Sequence, residues 1–187
     1  MTVTITYLDT YIETDRLYIR PLRLNDLEAF KEGFAQRKPK QNAFDADDID
    51  VSSYTLTTFK PVIQSLIQLA ADDESYIFAI FLKENHIPIG KVEFTTLLRD
   101  HFNWGVIGYV LNNSYWGKGY GSEAVTAAVQ YALQHLNYHR IEAHITPDNS
   151  RSIRTAQNAG LSFECIRQKF IQEDTDWIDR AVYSIHQ

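Results

Sequence analysis

The sequence contains very little cysteine, and this sets the first limits on its chemistry. Cys165 is the only cysteine among 187 residues, so the chain cannot form an intrachain disulfide or a cluster of thiol metal ligands. Its six histidines also show no H-E-x-x-H spacing. We therefore expect no metal site.

Basic residues are too few to suggest binding to nucleic acid. Eighteen lysines and arginines stand against 24 aspartates and glutamates, which gives a formal net charge of −6 at pH 7. Proteins that bind nucleic acid usually carry a basic surface patch. The composition therefore predicts no nucleic-acid partner, and it permits a cationic substrate such as a protonated amine.

Long hydrophobic runs are missing as well. The longest apolar stretch, Tyr76–Leu82, is far shorter than the ~18 residues that a membrane-spanning helix needs. Residues 1–6 contain no basic segment followed by an apolar run, so they do not resemble a signal peptide. We expect a cytoplasmic protein that has no membrane partner.

The chain does contain enough apolar material for a core. Hydrophobic residues make up 44% of the sequence and aromatic residues 13%, which is typical of a globular chain rather than a disordered one. Chains of this length usually form one domain. We predict a single domain over residues 1–187.

In the first part of the chain, the hydrophobic pattern predicts one strand and two helical regions. Arg16–Arg20 alternates polar and apolar residues, as a strand does. A helix is predicted to start with Asn25 as its cap. Residues 36–51 are polar and predict a mobile surface segment. A helical pattern covers Ser52–Ala71, in which Pro61 either kinks the helix or starts a second one.

The rest of the chain predicts a sheet with one crossover helix. The predicted strands are Tyr76–Leu82, Ile87–Leu97, Phe102–Leu111, Tyr138–Ile145, Phe163–Ile171 and Trp177–Ile185. After Gly121, apolar residues recur every three or four positions, which indicates an amphipathic helix. A short helix is predicted over Asn149–Ala159. The order β-α-α-β-β-β-α-β-α-β-β predicts a mixed-sheet α/β fold with one β-α-β crossover.

The most informative segment is a glycine loop between the strand that ends at Leu111 and the long helix. Gly117, Gly119 and Gly121 alternate with other residues there. Alternating glycines allow a tight turn that directs successive amide hydrogens to one point, beside the positive end of the helix dipole. Such a loop suits an anionic phosphate. The alternative is an ordinary strand-to-helix turn.

The spacing of this loop separates three phosphate-binding families. It lacks the G-x-x-x-x-G-K-[ST] pattern of a P-loop, and it fails the G-x-G-x-x-G pattern because Ser122 stands at the last position. The loop resembles the pyrophosphate loop of the GNAT acetyltransferases. Trp116-Gly117-x-Gly119 is similar to the subgroup of the ribosomal-protein-alanine acetyltransferases RimJ and RimL.

The resemblance to this subgroup covers nearly the whole chain. Residues 13–17 resemble its opening, 107–111 the strand before the loop, 148–154 its N-x-x-S-x-R helix start, and 176–179 the signature before its last strand. There are also departures from the family pattern. They are Val106 in place of a common glutamate, Ala156 where another branch has a tyrosine that acts as the general acid, and residues 157–161 near the nucleotide end of the cofactor.

The resemblance implies a fold, a cofactor and a set of binding residues. The fold is the GNAT acyl-CoA N-acyltransferase fold, a mostly antiparallel sheet that splays between its fourth and fifth strands and is flanked by helices. Acetyl-CoA would lie in that opening, with its pantetheine arm against the backbone of Val110 and Leu111 and with Asn149 on the pantetheine amide. The residues implied to bind the pyrophosphate are Trp116, Gly117, Lys118, Gly119, Tyr120, Gly121 and Ser122.

The reaction implied is direct attack of a neutral amine on the thioester. The amine must lose a proton and the departing thiolate must gain one, and a backbone N–H near Val110 would stabilise the carbonyl oxygen. The resemblance makes Ser152 the general acid, although Ser152 or Asn149 is alternatively a helix cap. The candidates for the general base are Glu93, His144 and a water chain, although Glu93 is alternatively an exposed structural residue and His144 alternatively a histidine whose hydrogen bonds are satisfied within the sheet. Cys165 is interpreted as a small core residue.

We therefore expect an acetyl-CoA-dependent N-acetyltransferase that acts on a protein N-terminus or a small-molecule amine. One alternative is a non-catalytic acyl-CoA-binding module of the same fold, and another is a nucleotide-binding interaction domain. The aspartates Asp45, Asp47, Asp48 and Asp50 predict a solvated loop or, alternatively, a patch that attracts a cationic acceptor. By resemblance, a homodimer through the C-terminal strands is also expected.

Overall fold

The computed structural model describes residues 6–187, which form eight strands and four α-helices. The strands are β1 (Ile12–Glu13), β2 (Leu17–Arg20), β3 (Ser75–Leu82), β4 (Pro88–Leu98), β5 (Trp104–Leu111), β6 (Arg140–Ile145), β7 (Ser162–Glu173) and β8 (Asp176–His186). The helices are α1 (Leu27–Ala35), α2 (Leu56–Ala71), α3 (Tyr120–His135) and α4 (Ser150–Asn158). The predicted order is confirmed, with β1 as an additional strand.

All eight strands form one sheet in the order β1-β2-β3-β4-β5-β6-β8-β7. Only β5 and β6 run parallel, because α3 connects them as a crossover; every other neighbouring pair is antiparallel. The parallel pair is short, since it joins residues 104–106 of β5 to residues 140–142 of β6. Beyond Val106 the two strands diverge. The predicted mostly antiparallel sheet is confirmed, and so is its opening. The opening was predicted between the fourth and fifth strands, which become the fifth and sixth once β1 is counted.

The core lies between the sheet and α3. Small residues Ala124, Ala128 and Ala132 line the buried stripe of α3 and have no exposed surface, so the helix backbone can approach the sheet closely. Phe78 and Phe94 face it from the strands and are also fully buried. Burying one such aromatic side chain is worth about 1.5–3 kcal/mol relative to leaving it exposed. This packing fixes α3, and therefore the loop that precedes it.

The start of α1 differs from the prediction. A 3-10 turn over Leu24–Asp26 precedes the helix, and Asn25 is not its cap. The carboxylate of Asp26 instead accepts a hydrogen bond of 2.7 Å from the backbone N–H of Arg23 and two of 2.7 Å from the guanidinium of Arg20. The buried ion pair with Arg20 places the helix, which a local capping pattern does not reveal.

Helix α2 also corrects the sequence interpretation. It begins after Thr55, whose hydroxyl accepts a hydrogen bond from the Thr58 N–H. It then runs without a break through Pro61, so the alternative of a second helix starting at Pro61 is wrong.

Among residues 6–187, no helix is both long enough and apolar enough to cross a membrane. The signal-peptide prediction concerns residues 1–6, of which 1–5 lie outside the described residues.

Candidate active site

A large cleft of about 900 Å³ opens where β5 and β6 diverge. The end of β5, the glycine loop, the first turn of α3 and the start of α4 form its walls. It brings together most of the residues predicted to bind the cofactor, and Ser152 with them. These residues are Val110, Leu111, Trp116, Gly117, Gly119, Tyr120, Gly121, Ser122, Asn149 and Ser152. Lys118 is outside the lining, and its ammonium lies 5.4 Å from the ring centre of Tyr115.

The glycine loop has the backbone conformation that its sequence suggests. Gly117 and Gly119 adopt φ values of +76° and +81°, in the left-handed region that other residues enter at a cost. Gly119 is the residue immediately before α3. The next three amide groups, at residues 120–122, have no partner within the helix because they form its first turn. They carry the positive end of the helix dipole and make a suitable anion site.

A cluster around Glu123 holds this loop from outside the cleft. Its carboxylate accepts hydrogen bonds from the Thr14 hydroxyl at 2.6 Å, the Arg16 N–H at 2.9 Å and the Arg16 Nε at 2.7 Å. Arg16 Nη1 then donates to the carbonyl of Lys118 at 2.9 Å, and its guanidinium lies 4.4 Å from the ring centre of Tyr120. The residues just before β2 therefore brace the loop. This link was not predictable from the sequence, because its partners are more than 100 residues apart.

Glu123 is stabilised as a carboxylate in this cluster. Its partial burial opposes ionisation, but the hydrogen bonds from Thr14 and Arg16, together with the charge of Arg16, lower the pKa of Glu123 below its ordinary value. The ion pair is consequently maintained at neutral pH.

Trp116 forms part of the cleft wall beside the open edge of β5. Its indole Nε1 donates to the carbonyl of Leu111 at 2.8 Å, and the guanidinium of Arg151 lies 4.6 Å from its ring centre. The Leu111 carbonyl thus already has one hydrogen-bond partner, and a pantetheine amide that bound this carbonyl would share it with the indole of Trp116. Val110, with 41% of its surface exposed, lies at the open part of the strand.

Ser152 and Asn149 lie at the start of α4 and have different local roles. Asn149 is the N-cap: its Oδ1 accepts a hydrogen bond of 3.2 Å from the Ser152 N–H. The Ser152 hydroxyl instead donates to the hydroxyl of Tyr109 at 2.9 Å. Of the two residues, Asn149 is therefore the cap, and it uses only its oxygen for this.

Tyr109 was missed as a site residue. It lies in the cleft wall on β5, and its hydroxyl donates to the carbonyl of Ser152 at 2.8 Å. Burial raises the pKa of Tyr109 above its ordinary value, although the hydrogen bond from Ser152 opposes this. The phenol is therefore neutral at physiological pH. Within the strand pattern of residues 107–111 nothing distinguishes this tyrosine from a core residue.

A small cavity of about 430 Å³ adjoins the cleft on the other side of Ser152. The two spaces share Phe44, Asn149 and Ser152 in their linings. The small cavity adds polar side chains from the end of β6 and from the β7–β8 hairpin. These are His144, Thr146, Glu173 and Arg180.

His144 belongs to a buried charged group on β6. Its Nε2 lies 2.7 Å from Oε2 of Glu142, a residue that is 1% exposed. Glu142 also pairs with Arg140 at 2.7 Å and with Arg167 at 3.2 Å. Burial opposes its ionisation, but hydrogen bonds from His144 and Arg140 and the charge of Arg167 lower the pKa of Glu142 below its ordinary value.

Glu93 lies elsewhere. It is outside the linings of both spaces as the described residues define them. Its Oε2 accepts from Lys91 Nζ at 2.5 Å, and its side chain lies over Gly108 of β5. Its role as the base stays a prediction, and this placement gives it no support.

The segment of residues 36–51 is another wall, and most of its residues are exposed, as was predicted for a surface segment, but Asp45 near its centre is buried. Asp45 is only 4% exposed. It accepts hydrogen bonds from Asn113 Nδ2 at 2.8 Å, Arg37 Nη2 at 3.0 Å and the Gln41 N–H at 3.0 Å. These contacts anchor the segment to the turn after β5, and Phe44 lines both spaces. The neighbouring aspartates are exposed, so the charge pattern of the sequence did not indicate that Asp45 is buried.

Within residues 6–187, no group of three or more histidine, cysteine, aspartate or glutamate side chains is arranged to hold a metal ion.

Comparison with known proteins identifies the family. The acetyltransferase (GNAT) domain matches residues 16–162, and the chain therefore belongs to the GNAT acetyltransferase family. It is 32% identical over 175 residues to a probable N-acetyltransferase, YjcK, of Bacillus subtilis, covering 90% of this chain and 93% of that protein. It is 22% identical over 174 residues to the ribosomal protein uS5-alanine N-acetyltransferase of Escherichia coli, covering 93% and 89%.

The fold agrees with solved structures of this family. The structure of Mycobacterium smegmatis RimJ in complex with a coenzyme A disulfide matches with a TM-score of 0.72 at 20% identity, covering 91% of this chain and 81% of that one. The resemblance to the RimJ and RimL subgroup is therefore confirmed, as is the prediction of an acetyl-CoA-dependent N-acetyltransferase.

Proposed function

We propose that this protein transfers acetyl from acetyl-CoA to the primary amine of a protein N-terminus, by direct attack within a ternary complex. One observation carries this proposal: the cleft in the gap between β5 and β6 is lined both by residues 120–122, which carry the free amides, and by Ser152. A thioester that entered along this gap would have its anionic end at the loop and its acyl end at a hydroxyl group.

The walls of the cleft match the successive parts of acetyl-CoA. The loop amides and helix dipole bind the pyrophosphate, and the unpaired edge of β5 at Val110 and Leu111 offers backbone groups to the pantetheine amides. Asn149 Nδ2, which its capping role leaves unused, adds one further donor. The RimJ structure, which shares this fold, is in complex with a coenzyme A disulfide, and this supports coenzyme A as the group that the cleft binds.

The proposed chemistry uses Ser152 as the proton donor. The hydroxyl lies on the wall that the cleft and the small cavity share, so a thioester in the cleft and an amine in the cavity would meet beside it. A backbone N–H near Val110 stabilises the carbonyl oxygen as it gains charge. Ser152 then protonates the departing thiolate.

The acceptor assignment rests on the relative that acts on the alanine terminus of a ribosomal protein. Glu173 lines the small cavity with an exposed carboxylate, at 56% side-chain exposure, and Arg180 beside it pairs with that carboxylate. An α-ammonium group would share the carboxylate with Arg180, and the rest of a peptide would extend outwards past Phe44. A small-molecule amine fits the same charge pattern, and the experiment below separates the two.

The test combines binding with turnover. Calorimetric titration with acetyl-CoA, ATP and NAD would show binding of acetyl-CoA alone. Release of the coenzyme A thiol would then be followed with peptides that begin with alanine or serine, with their N-terminally blocked forms, and with spermidine. Turnover of the free peptides, with no turnover of the blocked peptides or of spermidine, supports the proposal. Turnover of spermidine alone would make the acceptor a small amine, and binding of acetyl-CoA without any turnover would favour the non-catalytic module.

Three further expectations remain proposals: a single domain over residues 1–187, a cytoplasmic location, and a homodimer through the C-terminal strands. Strand β7 is an edge of the sheet and carries exposed Phe163 and Ile166. Such an edge is open to pairing with a second copy. Light scattering of the purified protein measures the state of association directly.

A further inference from the structure

We propose that His144, oriented by Glu142, is the general base that takes the proton from the acceptor amine in the small cavity. This inference rests on the proposed function, because it assigns a residue to the proton that acetyl transfer must remove. Among the described residues that line the small cavity, His144 is the one histidine, and a neutral imidazole is the common proton acceptor at neutral pH.

The position of His144 fits this role. Its side chain, 9% exposed, forms part of the cavity wall, as does Ser152. The proton acceptor and the proton donor thus lie on the walls of one space. An amine that entered this cavity would lie between them, with the thioester approaching from the cleft.

Glu142 determines which nitrogen of His144 is available. The carboxylate lies 2.7 Å from Nε2, and its pairs with Arg140 and Arg167 keep it ionised. An ionised carboxylate can only accept a hydrogen bond, so Nε2 carries the hydrogen and Nδ1 carries the free lone pair. A carboxylate that fixes the tautomer of a catalytic histidine is a recurrent arrangement in enzymes.

Several neighbouring groups fix the ring and its electrostatic surroundings. The ring of Phe170 packs edge-on against that of His144, with centroids 5.3 Å apart. The buried guanidinium of Arg180, on β8, pairs with Glu173 and donates to Thr146 Oγ1 at 3.0 Å. The charged groups around His144 are Arg140 and Glu142 on its own strand, Arg167 and Glu173 on β7, and Arg180 on β8.

The proposed step is balanced as follows. The amine nitrogen attacks the carbonyl carbon of the thioester, and its N–H proton passes to Nδ1 of His144. The C–S bond breaks with its electron pair on sulfur, which takes a proton from Ser152. Water returns the proton held by His144 to Ser152. One amine and one thioester become one amide and one thiol.

The test compares His144→Gln with His101→Gln, the same change at an exposed histidine that lines neither space. The probe is the alanine-terminated peptide with acetyl-CoA, from pH 5.5 to 9. General base catalysis contributes roughly 10²–10⁴-fold, so kcat for His144→Gln should fall by about a hundredfold at pH 7. The shape of its pH profile should also differ from that of the wild type. Acetyl-CoA affinity and the melting temperature check that the variant is folded.

A second variant tests the same proposal in case the glutamine disturbs the cavity. In His144→Ala, added imidazole should restore part of the turnover, which a purely structural histidine would not allow. The inference would be overturned if both variants had a pH profile of wild-type shape and a rate within about threefold of the wild-type rate, and if imidazole had no effect. The proposed function would still stand in that case. A wild-type protein that binds acetyl-CoA but acetylates no amine would overturn the proposed function itself.

Discussion

Val106 on β5 and Glu142 on β6 form the last parallel pair before the two strands diverge. Toward their carboxyl ends the strands separate, and the large cleft fills the gap. Val106 occupies a position where the family often has a glutamate, and the buried carboxylate of Glu142 lies on the neighbouring strand beside it. The pair therefore marks the start of the opening, and Glu142 places a buried carboxylate next to it.

Substitution of Gly119 should abolish cofactor binding. In Gly119→Glu, a carboxylate would stand beside the bound pyrophosphate and the residue would need φ of +81°, so we expect acetyl-CoA affinity to fall at least a hundredfold in calorimetry. Gly160→Ala is the matched control. Gly160 also has a positive φ, of +91°, but at the far end of α4, so this variant should lose about 1 kcal/mol of stability and keep its affinity. Unchanged binding by a folded Gly119→Glu would contradict the loop assignment.

Removing the charge of Glu123 should loosen the loop. Glu123→Gln weakens the bonds to Thr14 and Arg16, and we expect a loss of about 1–2 kcal/mol in unfolding free energy together with several-fold weaker acetyl-CoA binding. Because the pKa of Glu123 is lowered in the folded state, this contribution is complete above the ordinary glutamate pKa of 4.5. It is lost as the pH falls through the lowered value.

Urea unfolding at pH 7 and pH 3 measures this difference, which should be smaller at pH 3. Glu13→Gln is the control, since the pair of Glu13 with Lys83 is exposed and such pairs contribute little. Equal losses in both variants would show that Glu123 has no special role in the loop.

Changes to the Ser152–Tyr109 pair should affect turnover more than binding. Ser152→Ala removes the proton donor, and kcat should fall at least tenfold with little change in acetyl-CoA affinity. Tyr109→Phe removes only the hydroxyl that orients Ser152, so a smaller loss is expected. Steady-state thiol release separates the two. Turnover of Ser152→Ala equal to that of the wild type would leave this serine without a catalytic role.

Asp45 should matter far more than its neighbouring aspartates. Asp45→Ala removes the buried carboxylate that pairs with Arg37 at 3.0 Å and leaves the exposed Asp48, at 3.9 Å, as its acidic partner. Breaking a buried pair costs about 3–5 kcal/mol, and the substitution also releases the segment that carries Phe44. We expect a lower melting temperature and a higher KM for the amine. Asp47→Ala, whose side chain is 87% exposed, should change neither. A similar small effect of both substitutions would mean that Asp45 does not anchor the segment.

Features set by a repeating pattern were predictable from the sequence. Helix α3 follows from its apolar period, and the loop before it follows from alternating glycines, whose positive φ values confirm the interpretation. Strand β1 was missed because two residues, Ile12 and Glu13, are too short to show a period. The other expected elements differ from the observed ones mainly at their ends.

Features that depend on contacts between distant residues were not predictable. Ser152 and Tyr109 lie 43 positions apart, and Asp45 and Asn113 lie 68 apart. The pair Glu142 and His144 is different, because residues two apart on one strand face the same side of the sheet. That spacing was a usable signal, although only the structure shows that the face opens into a cavity.

The bond from Arg16 to the Lys118 carbonyl has a thermodynamic consequence. In the proposed binding mode, the loop that binds the pyrophosphate is held by a segment near the beginning of the chain, so attachment of that segment and occupancy of the loop are linked equilibria. Each must strengthen the other by the same factor. A saturating cofactor would therefore protect residues around Arg16 from proteases and from amide exchange, through the loop that Arg16 contacts.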